Sequence, residues 1–266
     1  MTPISLTSVD DPRIAAFRDV RERDLTGREG LFIAEGEVVL NVLTSAWSRC
    51  RARAVLLADK RLAKLEPVLA RLETDIPVYT APQGVLDGIA GFHLHRGILA
   101  LGEKPAPLDP DAFLATRPES SVLVGAVGIG NADNMGGIFR NAAALGACGV
   151  MIDPGCCDPF YRKAIRVSVG AVLRTPLMAS VSAVEMVEKA EAYGYVPLAL
   201  TPGEGPDLME MEPPARSLVL LGAEGPGLPP EVLARARPVR IPMASGFDSL
   251  NVAATSAIVL HHLTRR

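Results

Sequence analysis

Ile241-Pro242-Met243 is followed by a short polar loop and then by Asp248-Ser249-Leu250-Asn251-Val252-Ala253-Ala254. This stretch runs from a strand end, through the loop, into a helix of small residues. Two other stretches belong with it: Asn134-Met135-Gly136-Gly137-Ile138-Phe139-Arg140-Asn141-Ala142, and Leu221-Gly222-Ala223-Glu224-Gly225-Pro226-Gly227-Leu228. Each joins a strand end or helix start to glycine and to polar side chains. In open α/β sheets, ligands bind at the carboxyl ends of the strands, where such loops gather.

The composition limits what these loops can serve. The chain has 266 residues, 48% of them apolar, enough for one large domain or two modest ones. Its net charge of −3, with both signs mixed along the sequence, gives no bulk attraction to nucleic acid. Any nucleic acid would have to be met by local patches or by a dimer groove. Aromatic residues are 5% of the chain, with one tryptophan, too few for binding single strands mainly by stacking. Cys50, Cys148, Cys156 and Cys157 form no CxxC pair, and His93, His95, His261 and His262 complete no zinc spacing. The expectation is four reduced thiols and no metal. The arginine-dotted segment 1–28 lacks the apolar core of a secretion signal, and no apolar run approaches a membrane span. The sequence predicts a cytoplasmic protein with no membrane partner.

Three prolines between Pro105 and Pro110 mark a boundary, since proline continues neither a helix nor a central strand. The expected organisation is a small α/β domain over 1–102, a linker over 103–120 with a short helix at 111–115, and a larger domain over 121–266. In the first, helices are predicted at 11–23, 38–46 and 62–72, and strands at 32–34, 54–58, 77–80 and 98–101. In the second, strands at 122–127, 149–152, 196–200, 218–221 and 239–241 alternate with helices at 134–145, 183–193, 229–234 and 249–263. That alternation predicts a mostly parallel sheet with helices on both faces. Gly128-x-Gly130 after the first of these strands invites a dinucleotide reading, but Asp133 stands where a small residue is needed beside pyrophosphate.

Asn134 has two readings from its position alone, a helix N-cap or an amide facing the ligand cleft. Arg140, taken alone, reads as a solvated charge. Ser249 or Asp248 is a credible cap for the last helix.

In their order and spacing the three stretches resemble the three motifs of the SpoU family of RNA ribose 2′-O-methyltransferases. The likeness covers residues 121–266, and Arg166-Val167-Ser168-Val169-Gly170-Ala171 extends it. Ala223 departs from it, since many members carry asparagine there. More loosely, Arg28, Phe32 to Gly36 and His95 to Leu101 resemble the family's L30e-like substrate-binding domain. Arg13, Arg18, Arg21, Arg23 and Arg28 could form an RNA-facing edge there or an ordinary solvated helix. The resemblance implies a C-terminal trefoil knot, which no composition argument predicts. It implies S-adenosylmethionine as cofactor, with Gly222, Ile241, Met243 and Leu250 lining its pocket. It implies that Asn134, Arg140, Glu224, Ser249 and Asn251 surround the reacting hydroxyl of an rRNA or tRNA, and that the protein is a homodimer. Arg162, Lys163 and Arg166 are candidate phosphate contacts or an exposed basic helix end. Two alternatives stand beside this reading: a non-catalytic RNA-binding or assembly factor on the same fold, and a small-molecule enzyme using a nucleotide cofactor.

Overall fold

The computed structural model describes residues 2–18, 22–90, 94–180, 182–203, 205–245 and 249–264, without the side chains of 22–24. His93, Arg21 and Asp248, and the side chain of Arg23, lie outside the described residues.

The first 105 residues supply strands β1 (Ile4–Ser5), β2 (Leu31–Glu35), β3 (Arg51–Ala58), β4 (Val78–Ala81) and β5 (Ile98–Glu103). Between them lie helices α1 (Glu22–Arg28), α2 (Glu37–Leu43), α3 (Leu62–Leu69) and α4 (Gln83–Ala90). The rest supplies strands β6 (Ser121–Ala126), β7 (Gly149–Ile152), β8 (Leu177–Ala179), β9 (Val196–Leu200), β10 (Arg216–Leu221) and β11 (Arg237–Val239). Its helices are α5 (Pro110–Ala115), α6 (Ala132–Leu145), α7 (Arg162–Val167), α8 (Ala183–Ala192), α9 (Pro230–Leu233) and α10 (Val252–Leu263).

Two compact units result. One is Met1–Pro105 with Asp158–Arg174; the other is Ala106–Cys157 with Thr175–Arg266. The division falls within the proline-rich stretch but corrects the expected domains twice. Residues from Ala106 onward already pack with the second unit, and residues 158–174 leave it for the first. The reason is burial. Phe160 is buried with its ring 5.2 Å from that of Phe32, Arg162 Nε bonds Glu35 Oε2 at 3.0 Å, and Lys104 pairs with Asp158.

In the first unit the sheet order is β1-β4-β3-β5-β2, parallel at β1/β4 and β3/β4, antiparallel at β2/β5 and β3/β5. The helix expected over 11–23 is instead a 3₁₀ turn, Pro12–Phe17, capped by Asp11 as predicted but kinked at Ile14. The helix expected over 38–46 stops at Leu43, α1 lies almost wholly beyond the expected 11–23, α4, β1 and β8 have no counterpart in the sequence reading, and α7 answers only to the basic helix end read at Arg162, Lys163 and Arg166.

In the second unit the order is β11-β9-β10-β6-β7-β8, with every pair parallel. β6 and β10 are central and buried along almost their whole length, which their continuous apolar runs require. Gly125 is needed near the carboxyl end of β6, because a Cβ there would meet Met186 Sδ of α8 at 2.7 Å. On the opposite flank α10 lies along α6. Gly137 permits this, since its Cβ would fall 2.6 Å from that of Ala253. Gly146 ends α6 in the left-handed conformation at φ +82°.

Candidate active site

The three quoted stretches meet in the second unit. α6 begins one residue after Asn131, whose side chain accepts from Asp133 N at 2.8 Å. The cap is therefore Asn131 and not Asn134, which does not itself line the cavity described below but bonds two residues that do. Asn134 is 6% exposed inside the first turn. Its Nδ2 donates to Glu224 Oε1 at 2.8 Å, and its Oδ1 accepts from Asn251 Nδ2, also at 2.8 Å. Asn251 Nδ2 also lies 3.5 Å from Glu224 Oε1. Asn251 caps α10, its Oδ1 accepting from Ala253 N and Ala254 N at 2.9 and 3.3 Å. The last helix thus starts at Val252, not at 249, and Ser249 is not its cap.

One asparagine therefore does two jobs. Its oxygen satisfies helix N–H groups that would otherwise be unpaired, and its amide tethers the helix start to the other two motifs. Removing such a cap costs about 1 kcal/mol, and the buried Asn134 would lose a partner as well.

Beside this cluster is a cavity of about 430 Å³. Gly222, Ile241, Met243 and Leu250 line it, as do Glu224, Ser249 and Asn251. β11 ends at Val239, so the predicted strand 239–241 is displaced and Ile241 lies in the loop. Gly225 and Gly227 have φ of +90° and +72°, conformations that let the turn after β10 fold back on itself. Gly222 is held where a Cβ would sit 2.5 Å from the carbonyl carbon of Gly227.

Arg140 does not join this group. It lies exposed on α6, outside the cavity lining, and makes no hydrogen bond or ion pair among the described residues. Sequence reasoning also missed part of the wall. Leu200, Thr201 and Pro202 enter from the end of β9, and Thr255 from α10. β9 neighbours β10 in a parallel sheet, so its carboxyl end had to open on the same cleft; that was the available signal. Asn141 was passed over too. Its Nδ2 bonds Ala253 O at 2.7 Å and Ser256 Oγ at 2.8 Å, tying α6 to α10.

Burial pushes the Cys50 and Cys156 thiols up to about 12 and raises that of Cys148, so all three stay protonated at neutral pH. All four cysteines are free. No group of three or more metal-ligating side chains occurs among the described residues, and no helix among them is long and apolar enough to cross a membrane. Of the basic residues in 158–174, Arg162 is committed to Glu35, and Arg166 lies 3.8 Å from the same carboxylate.

Residues 121–261 match the SpoU rRNA Methylase family. The chain belongs to that family. A Mycobacterium tuberculosis protein named an uncharacterized tRNA/rRNA methyltransferase is 36% identical over 96% of this chain and 90% of its own length. Among solved structures, the SpoU methyltransferase AviRb from Streptomyces viridochromogenes superposes with a TM-score of 0.78 at 25% identity, covering 96% of this chain and 97% of its own. An RNA 2′-O ribose methyltransferase superposes with a TM-score of 0.76 at 26% identity, covering 98% of both chains. The matched span ends within α10 and contains all three SpoU motifs. AviRb has also been solved in complex with AdoMet.

Proposed function

We propose that the protein transfers the methyl group of S-adenosylmethionine to a ribose 2′-hydroxyl of tRNA or rRNA. The observation that carries this reading is the bonded set Asn134–Glu224–Asn251 beside a cavity lined by Gly222, Ile241, Met243 and Leu250. The cavity suits S-adenosylmethionine. Its apolar walls fit a purine ring, the glycine turn offers backbone groups, and its volume lies in the range of small-molecule sites.

When bound, S-adenosylmethionine supplies a methyl group on a sulfonium, an electrophile already activated. The chain has only to orient the hydroxyl and take its proton. Glu224 is arranged for this. Its Oε1 accepts from the Asn134 amide, with that of Asn251 within reach, while Oε2 has no hydrogen-bond partner among the described residues. Oε2 accepts the proton of the 2′-hydroxyl, and Ser249 lines the approach. Arg140 is given no base role, because a guanidinium offers five donors and no acceptor. Its role is to hold the 2′-oxygen and an adjacent phosphate, stabilising the charge that develops on oxygen.

A second copy of the chain completes the site. Arg140 and Ala144 on α6, and Ala254, Ile258 and His261 on α10, stand exposed on helices that pack together, and Ile258 is 41% exposed. A partner covering this face would carry an Arg140 to its neighbour's cavity, which accounts for a catalytic arginine outside the cavity of its own chain. The knotted path of the C-terminal segment, an RNA-recruiting L30e-like role for residues 1–102 and a cytoplasmic location belong to the same reading.

Calorimetry tests the cofactor. S-adenosylmethionine or its demethylated product should bind and raise the melting temperature by mass action, whereas NAD and ATP should do neither. A shift with NAD and none with S-adenosylmethionine would sink the reading.

A further inference from the structure

The first unit carries a second cavity, of about 350 Å³, remote in sequence from the three motifs. Thr44, Ser45, Ser48, Arg49, Arg51 and Arg71 contribute to its wall. The loop that follows α2 carries the chain's single tryptophan, Trp47, which is 78% exposed. An indole left this open gives up a large apolar area that folding would normally bury.

The loop is built to display it. Ser48 N donates to Ser45 O at 3.0 Å, closing a turn with Trp47 inside it. Ser45 Oγ donates to Val42 O at 2.7 Å, and Ser48 Oγ both donates to Cys50 O and accepts from Cys50 N. The turn is thus pinned at both ends by its own side chains.

The charges around it are not balanced. Arg51 is neutralised by Glu73 and Asp75. Among the described residues, Arg71 bonds only the neutral amide oxygen of Asn41, at 3.2 Å, and Arg49 makes no side-chain hydrogen bond or ion pair. Two guanidinium groups without an acidic partner among the described residues therefore line this cavity, and the open indole lies two residues before one of them in the turn that contributes Ser45 and Ser48 to the wall, on a chain whose net charge is −3.

We propose that Trp47, Arg49 and Arg71 form a contact site for single-stranded RNA, with a base stacked on the indole and flanking phosphates held by the two arginines. The inference rests on the RNA reading above and adds a location to it. A free aromatic face with nearby cations suits an unstacked base. Paired RNA, whose bases are already stacked, is disfavoured. One ring gives one stack, so the site anchors a loop or tail of the substrate and does not track a long strand. It takes no part in the methyl transfer itself.

Trp47 reports on its own site. The full-length protein is titrated with single-stranded oligouridylate while tryptophan emission is followed. Emission should be quenched, and the quenching should weaken steeply with salt. Uridine monophosphate should quench little, and equal quenching by it would make this a small-nucleotide pocket and overturn the proposal. With a fluorescein-labelled oligouridylate, Trp47→Ala should weaken binding by about tenfold, the effect of losing one stacked base, and Trp47→Phe should restore most of it. Arg49→Ala and Arg71→Ala should each lower the slope of log affinity against log salt by about one unit. In methyl transfer the Trp47→Ala loss should fall on the KM for RNA, not on kcat. Quenching in a protein that transfers no methyl group would uphold this site while removing the catalytic reading. Methyl transfer with Trp47 unquenched and Trp47→Ala unaffected would overturn this site alone. Emission that changes with protein concentration in the absence of RNA would assign Trp47 to a protein–protein contact instead.

Discussion

Glu224 is held by one oxygen and has no hydrogen-bond partner at the other among the described residues, and that asymmetry is what a proton acceptor needs. Glu224→Gln keeps the size and one carbonyl oxygen for the Asn134 amide but cannot take a proton at neutral pH. At saturating cofactor, single-turnover methyl transfer should fall by about 10² or more, the scale of losing one acid–base group, with cofactor affinity little changed. Arg140→Ala should give a loss of similar size. Arg140→Lys should rescue little, because an ammonium lacks the planar fork. Since Arg140 is exposed and unpaired among the described residues, its removal should cost almost no stability. A folded Arg140→Ala protein with normal turnover would return this side chain to a surface charge. Asn134 shows what the sequence could and could not disclose at this scale. Its motif was legible, but an asparagine near a helix start looks the same whether it caps or turns inward. Only the presence of Asn131 three residues earlier decides between them.

At the scale of elements, the packing of α6 on α10 holds the first and third motifs together. Gly137 meets Ala253 across it, and Asn141 bonds the same helix turn at Ala253 and Ser256. Gly137→Ala would gain up to about 1 kcal/mol in helix propensity. The added methyl lands 2.6 Å from another carbon, however, and overpacking of this kind costs about 1–3 kcal/mol. The variant should therefore unfold at lower urea than the parent. Gly84→Ala in α4, where a Cβ would meet nothing within 4 Å, should not be destabilised. If both substitutions behave alike, close approach is not what Gly137 provides. The small-residue face of α10 was readable from Ala253, Ala254 and Ala257. Its start was not, because Ser249 and Asn251 are both good caps by residue type, and the choice of Asn251 depends on partners in two distant motifs. Leaving Ser249 and Leu250 outside the helix is what lets them line the cavity.

For the whole molecule, the alternation of strands and helices disclosed two α/β units and the parallel order of the second. The route of residues 158–174 was hidden. A short basic helix carries no mark of which sheet it will pack on, and the answer lies in long-range contacts, Phe160 with Phe32 and Arg162 with Glu35. The cavity walls from β9 were hidden for a similar reason, since neighbours in a sheet are set by topology and not by sequence order. What the assembled molecule does is most directly tested by the chemical position of the methyl group it transfers. The protein is incubated with methyl-labelled S-adenosylmethionine and unmodified tRNA and rRNA, and the RNA is digested to nucleosides. Label should appear in a 2′-O-methylated nucleoside, and the linkage after that nucleotide should resist alkali, because the hydroxyl that would attack it is blocked. Label on a base, with every linkage still cleaved by alkali, would contradict the account.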